Sequence, residues 1–206
     1  MFFEKIINFF DLYHQKRIIN YLKKLKIDYF IDVGAHKGEF LTYILLLNYK
    51  KIYCFEPQKK IFKILHKNFK NKKNVQLFNL GLADKSSKLK FYENKLTSTS
   101  TFLRGNNTLF EKLKNLILNS KNSYIDTYSI NTRKLDEIFI GKKIFNTLLK
   151  IDVEGFELNV LKGAKVTLSK KVKYVLIERH FLRSYKRNSI NKVHLFLIKN
   201  NFKLIK

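Results

Sequence analysis

Cysteine is almost absent from this chain of 206 residues, which has a single one, Cys54. No intrachain disulfide can form, and because Cys54 lies within an apolar run we expect a buried, inert thiol. The zinc-binding patterns C-x-x-C and H-E-x-x-H are also missing. Apolar stretches are interrupted by Lys or Asn before they reach the roughly 18 residues of a membrane-spanning helix. The N-terminus has no small-residue cleavage site, so we expect no signal peptide and a cytoplasmic protein.

Acidic residues are few as well. The chain has 16 Asp and Glu against 42 Lys and Arg, which leaves a net charge of +26. Such a charge suits a polyanionic partner: nucleic acid, an anionic lipid surface or a charged glycan. The alternative is a compositional bias, and it is favoured because Lys is spread over almost every segment. Arg, the better residue for bidentate phosphate recognition, is scarce. We therefore expect no dedicated nucleic-acid partner.

The length and apolar content predict one domain with a substantial core. Residues 1–27 have apolar side chains at helical spacing and form a predicted amphipathic segment. Such a segment caps the sheet or the substrate pocket, or, with Lys on its polar face, lies on a membrane surface. Residues 28–206 form the main domain. Within it, the polar stretch 94–122, which opens with T-S-T-S-T, is the predicted insertion or lid over the pocket.

Strands and helices alternate along the main domain. Strands are predicted at 29–34, 51–56, 75–81, 88–93 (an exposed strand), 124–130, 148–153, 174–178 and 202–205. Helices are predicted at 38–47, 58–69, 156–168 and 189–199. This alternation predicts an α/β fold whose mostly parallel, doubly wound sheet has helices on both faces.

A nucleoside site is predicted at the first strand. The run Y-F-I-D-V-G-A-H-K-G turns through Gly34 and Gly38 into a helix, and Glu56 ends the next strand. In α/β sheets such glycines allow a close approach of the ligand, and the acid accepts hydrogen bonds from ribose hydroxyls. A dinucleotide fingerprint would need a glycine where this chain has His36. The spacing therefore favours a cofactor without a pyrophosphate, such as S-adenosylmethionine, although an ordinary strand-to-helix turn has similar glycines.

Ligands bind outside the carboxyl ends of the strands in open α/β sheets. The acids and histidine expected at that edge, beside the glycine turn and Glu56, are Asp84, Asp152, Glu154, Glu178 and His180. Asp152 ends an apolar strand, where an acid is costly unless it has a partner or a catalytic role.

Structural explanations compete with the catalytic ones. Asp152 and Glu154 could instead cap a helix opening at Gly155. Glu178 could be paired with a basic neighbour. Lys150, two residues before Asp152 on the same strand face, could pair with a carboxylate.

These motifs together resemble the FkbM family of S-adenosylmethionine-dependent methyltransferases. The resemblance covers roughly residues 28–180 and depends most on the block L-K-I-D-V-E-G-F-E and V-L-K-G-A. It implies a Rossmann-like class I methyltransferase fold and methyl transfer to a hydroxyl oxygen of a sugar, glycan or related small molecule.

The resemblance also assigns roles to individual residues. It assigns Asp32, Gly34 and Gly38 to the methionine end of the cofactor, Glu56 to the ribose, and Asp152 with Glu154 to the substrate side. Ala35 and Asp84 complete the cofactor-binding candidates. Glu178 and His180 complete the catalytic ones.

The chain departs from the usual pattern of this fold, which has a sixth strand and an antiparallel seventh. The sequence ends just after the candidate sixth strand. Either the last strand is missing and a partner, such as a second copy, covers the edge, or the number of strands assigned above is off by one. The base could be Asp152 or His180, or paired acids could hold a divalent cation.

Two other functions stay open. One is an RNA methyltransferase, suggested by the charge but without an N-P-P-Y-type motif. The other is a non-catalytic module, against which the intact glycine turn and Glu56 argue.

Overall fold

The computed structural model describes residues 16–94, 100–102, 124–177 and 186–205. The strands in this part of the chain are β1 (Tyr29–Val33), β2 (Lys51–Phe55), β3 (Val75–Phe78), β4 (Gly81–Leu82), β5 (Ser87–Asn94), β6 (Tyr124–Arg133), β7 (Thr147–Ile151) and β8 (Val172–Ile177). The helices are α1 (16–22), α2 (Glu39–Ile44), α3 (Lys59–Phe69), α4 (Leu135–Phe139), α5 (Glu157–Lys162), α6 (Lys165–Lys170) and α7 (Lys186–Lys199).

Five strands form one parallel sheet in the order β3-β2-β1-β7-β8. The chain starts at β1 in the centre, moves outward to β3, and returns to the other side of β1 with β7. The predicted doubly wound parallel sheet is therefore confirmed. Its topological switch point lies between β1 and β7, where adjacent connections leave in opposite directions and open a crevice at the carboxyl edge.

Both faces of this sheet are covered, which explains why its central strands are almost entirely apolar. On one face Phe30, Ile52 and Leu148 pack under the first three helices, and the buried thiol of Cys54 lies among them, as predicted. On the other face Ile31 and Leu149 belong to the core that the later helices cover.

A smaller sheet of three strands, in the order β4-β6-β5, follows the first half of the main sheet. It contains the predicted strands at 88–93 and 124–130, which pair antiparallel as β5 and β6. The single strand predicted at 75–81 is wrong. The chain leaves the main sheet after Phe78, and Gly81–Leu82 pairs with β6 instead. Between β3 and β4 the side-chain amide of Asn79 donates hydrogen bonds to the backbone carbonyls of Glu56 and Pro57. These bonds lie where the pairing of β3 with β2 ends.

Two further expectations differ from the structure. The helix predicted at 156–168 is divided into α5 and α6 at Gly163, where a Cβ atom would lie 2.0 Å from the Ala83 carbonyl oxygen. The strand predicted at 202–205 is not a strand. These residues follow α7 without regular structure, and Phe202 packs against the apolar core beside α7.

The N-terminal segment is helical over the part that the structure describes, and Ile19 and Leu22 are buried against the sheet. Residues 1–15 lie outside the described residues, as do Glu178, His180 and most of the predicted insertion at 94–122. Among the described helices, none is long and apolar enough to cross a bilayer.

Candidate active site

Gly34 allows the ends of β1 and β7 to approach each other. It has a φ of +83°, and a Cβ atom there would lie 1.9 Å from the backbone oxygen of Asp152. Asp152 in turn donates its N–H to the Val33 carbonyl over 2.9 Å. The glycine is thus required by the protein's own backbone. Its assignment to the methionine end of the cofactor stays a prediction.

Gly38 is also enclosed by protein atoms. It has a φ of +90°, and a Cβ atom would lie 2.3 Å from the Phe69 ring and 2.9 Å from a Leu65 methyl carbon, both on α3. Ala35, between the two glycines, is buried. The D-x-G-x-x-x-G pattern therefore specifies how the turn packs on β7 and α3, and it shapes the site indirectly.

Glu56 lies directly after β2, at the carboxyl edge predicted for it. Its Oε2 accepts the N–H of His36 over 3.0 Å, and its Oε1 accepts the N–H of Gln58 over 2.8 Å. Burial raises the pKa of this carboxyl to about 7, although the two backbone donors oppose the shift. Each carboxylate oxygen can accept more than one hydrogen bond. The group can therefore receive the hydroxyls of a diol while it keeps its backbone partners.

The predicted pairing of Lys150 with carboxylates is confirmed. Lys150 on β7 is in register with Asp32 on β1, and its Nζ lies 3.1 Å from Asp32 Oδ1 and 3.5 Å from Asp152 Oδ2. Asp32 is fully buried, and burial raises the pKa of its carboxyl while the Lys150 ammonium opposes that shift. Its second oxygen, Oδ2, has no hydrogen-bond partner among the described residues. Asp32 is therefore a buried partner of the Lys150 ammonium, which also contacts Asp152.

Asp152 reaches the edge of the sheet, and about a quarter of its side chain is exposed. The helix that follows begins at Glu157 with Phe156 at its N-cap, so neither Asp152 nor Glu154 occupies the capping position. Glu157 Oε1 instead accepts the N–H of Gly155 over 2.8 Å. The helix-capping alternative thus fails for both acids.

The turns after β1 and β7 each contain one of the four non-glycine residues with positive φ in the described part of the chain; the other two are Asn146 and Asn201. His36 has a φ of 50° and Glu154 has a φ of 54°, and both lie in the left-handed region that non-glycine residues rarely adopt. Such residues cost about 1–3 kcal/mol each and cluster at functional sites. The two strained residues follow the two strands that flank the switch point.

Asp84 lies after β4, and its backbone packs against Gly163, after the last residue of α5. Its assignment to the cofactor stays a prediction. The side chain of Asn79 donates to the Glu56 carbonyl. No group of three or more potential metal ligands occurs in residues 16–94, 100–102, 124–177 and 186–205.

The sequence analysis missed several residues near the site. Thr101 is one of the described residues 100–102 within the predicted insertion. Its hydroxyl donates to the Glu154 carbonyl over 3.0 Å. Glu93, expected to be exposed, is buried, and it lies beside Tyr128. Asn79, which contacts the Glu56 backbone, was missed as well. It alone could have been found from the sequence, because it follows the end of β3 as Glu56 follows the end of β2.

Comparison with known proteins agrees with this architecture. The family model for the methyltransferase FkbM domain matches residues 32–204 of this chain. No curated protein sequence matches the chain. A crystal structure of methyltransferase FkbM from Methylobacillus flagellatus KT superimposes with a TM-score of 0.52 at 17% identity, over 84% of this chain and 37% of that one. At this identity the likeness shows a shared fold, and the chain spans little more than a third of that protein's length. Because the family match covers most of the sequence, this chain belongs to the FkbM methyltransferase family.

Proposed function

We propose that this protein transfers a methyl group from S-adenosylmethionine to a hydroxyl oxygen of a sugar, glycan or related small molecule. The observation that carries the proposal is Glu56. Its carboxylate stands at the carboxyl end of β2, beside the turn after β1, and is fixed by the backbone of His36 and Gln58. That arrangement suits the ribose of a nucleoside cofactor.

The residues present fit this cofactor better than a dinucleotide. Asp32 Oδ2 is a buried acceptor without a partner among the described residues, and the lone pairs left on Glu56 suit the two ribose hydroxyls. His36 stands where a dinucleotide site would have the glycine that faces the pyrophosphate. The acids around the edge also disfavour a diphosphate through like-charge repulsion.

S-adenosylmethionine, when bound, supplies a methyl group that its sulfonium has already activated. The protein must then orient the acceptor oxygen and remove the hydroxyl proton. In our proposal Asp152 takes that proton, since it is the partly exposed acid at the end of β7 and Lys150 holds its carboxylate. Glu154 lies in the same turn. Glu178 and His180, which lie outside the described residues, stay candidates, as does a divalent cation held by paired acids.

The binding test uses calorimetry with S-adenosylhomocysteine and with NAD. We expect the first to bind and the second not to. Glu56→Ala should weaken S-adenosylhomocysteine binding by about 1–3 kcal/mol through loss of charged hydrogen bonds. Asp28→Ala, which removes a lysine-paired carboxylate at the opposite edge of the sheet, is the control and should leave affinity unchanged. An unchanged affinity in Glu56→Ala would remove Glu56 from the site.

The same titration has a defined pH dependence. The pKa of Glu56 is about 7, and the ionised carboxylate is the better acceptor for ribose hydroxyls. Affinity should therefore fall as the pH decreases from 8 to 6, because the carboxyl becomes protonated. In Glu56→Ala this slope should disappear.

A further inference from the structure

Glu93 is a buried acid that the proposed mechanism does not use. Only 6% of the residue is exposed, although it lies near the end of β5, at the edge of the smaller sheet. Its Oε2 has no hydrogen-bond partner among the described residues. Its cationic neighbour is Lys60, whose Nζ is 3.8 Å from Oε1 but whose side chain is 79% exposed. A buried carboxylate oxygen in this state calls for a donor from a ligand or solvent.

Tyr128 connects this acid with the cofactor side of the site. In the β5–β6 ladder Phe91 pairs with Tyr128 and Glu93 pairs with Asp126, so Tyr128 lies on the same face as Glu93 and one pair along. The charges of Glu93 and Glu56 are both close enough to act on its phenol. Burial, followed by the charge of Glu93, raises the pKa of the Tyr128 phenol. The phenol therefore keeps its proton at neutral pH and offers both a donor and acceptor lone pairs.

Glu93 is also held close to the turn after β7. Its neighbour Tyr92 exchanges two backbone hydrogen bonds with Thr101, over 2.8 and 3.1 Å. The Thr101 hydroxyl in turn binds the carbonyl of Glu154 over 3.0 Å. The strand segment that contains Glu93 is thus linked through Thr101 to the backbone of the turn after β7.

We propose that Glu93 and Tyr128 form a subsite that binds hydroxyl groups of a polyhydroxylated acceptor, such as a sugar ring. The inference rests on the proposed function and deepens it by naming two residues that select the acceptor. A carboxylate and a neutral phenol, side by side and mostly shielded from water, can accept and donate to neighbouring hydroxyls. A monohydroxyl acceptor would leave one of them unsatisfied, which disfavours its binding.

The test measures binding of methyl hexosides by saturation-transfer NMR in the presence of saturating S-adenosylhomocysteine, with cyclohexanol as the monohydroxyl probe. We expect wild-type protein to bind at least one methyl hexoside more tightly than cyclohexanol. Glu93→Gln and Tyr128→Phe should each weaken that binding by about 10-fold or more. Affinity for S-adenosylhomocysteine should change less than threefold. Asp28→Asn, which alters a lysine-paired acid at the opposite edge of the main sheet, should bind hexosides like wild type.

The outcomes separate the two proposals. If wild-type protein does not bind S-adenosylhomocysteine, the proposed function itself fails. If it binds S-adenosylhomocysteine but no methyl hexoside, or if both variants bind hexosides normally, the subsite is refuted alone. A loss of S-adenosylhomocysteine affinity of more than 10-fold in folded Glu93→Gln would also overturn it, because Glu93 would then belong to the nucleoside side. Should that variant fail to fold, Tyr128→Phe decides the question.

Discussion

Asp152 is the single residue on which the proposed chemistry depends most. It is partly exposed at the end of a buried strand, and its carboxylate contacts the Lys150 ammonium. Its backbone carbonyl packs against Gly34. The backbone contact is independent of the side chain. The carboxylate can therefore be altered without changing how β1 and β7 meet.

We expect Asp152→Asn to keep the fold and the affinity for S-adenosylhomocysteine, because size and polarity are preserved. Methyl transfer should fall by about 100-fold or more, the usual effect of losing a general base. The measurement is transfer of labelled methyl groups from S-adenosylmethionine to a glycan extract. Asp28→Asn is the control, since Asp28 is a lysine-paired acid at the opposite edge of the sheet. Near-normal turnover would refute the role of Asp152. Unfolding would show that the carboxylate is structural, leaving Glu154, Glu178 or His180 for the chemistry.

At the level of elements, β1 and β7 are joined by a buried ion pair as well as by backbone hydrogen bonds. Asp32 and Lys150 are directly opposite each other in register, and both are buried. A buried pair adds little to stability compared with apolar residues, but removing one partner leaves an uncompensated charge. The pair therefore makes each strand dependent on the other's sequence.

Lys150→Met should destabilise the protein by about 3–5 kcal/mol at neutral pH, measured by urea unfolding. The double variant Asp32→Asn with Lys150→Met should recover most of this loss, because no charge then remains buried. A single variant within about 1 kcal/mol of wild type would show that solvent or another group neutralises Asp32.

The contact between the turn after β1 and the end of β7 predicts a second difference in stability. Gly34→Ala should be severely destabilising, because its Cβ would overlap the Asp152 carbonyl and force the strand ends apart. Gly141→Ala is the matched control. Gly141 has a similar φ of +70° but no atom within 4 Å of the Cβ position, so it should cost only the left-handed backbone penalty of about 1–2 kcal/mol. Thermal unfolding compares the two, and equal losses would contradict the steric explanation.

At the level of the whole molecule, the net charge of +26 is the dominant property. Four of its 16 acids, Asp32, Glu56, Glu93 and Glu154, are buried around the proposed site. A basic exterior around an acidic interior suits a hydroxylated acceptor better than a phosphate backbone. It also leaves a sequence-independent attraction to polyanions.

We expect RNA binding to be weak at physiological salt, insensitive to sequence and steeply weakened by added salt. Fluorescence anisotropy with unrelated RNA oligonucleotides at 50 and 150 mM salt measures this. Tight, sequence-selective binding at 150 mM salt would instead favour the RNA methyltransferase.

The sequence by itself determined the strands of the main sheet, their order and the edge where we propose the site. Apolar runs separated by amphipathic ones specify parallel strands with crossover helices. Parallel strands all end at the same edge, so Glu56 and Asp152 could be placed there without coordinates. Cys54 was recognised as buried for the same reason, because it lies in a continuous apolar strand.

Only the tertiary structure decided which groups touch. Lys150 reaches Asp32 across 118 residues of chain, and a side chain at Gly34 would overlap the Asp152 carbonyl. Glu93 is buried by its place beside Tyr128, although its strand has the alternating pattern of an exposed edge. The predicted helix breaks at Gly163 because the Ala83 carbonyl packs there. Hydrophobic periodicity is a local property of the chain, whereas each of these contacts depends on the register and packing of segments that are distant in sequence.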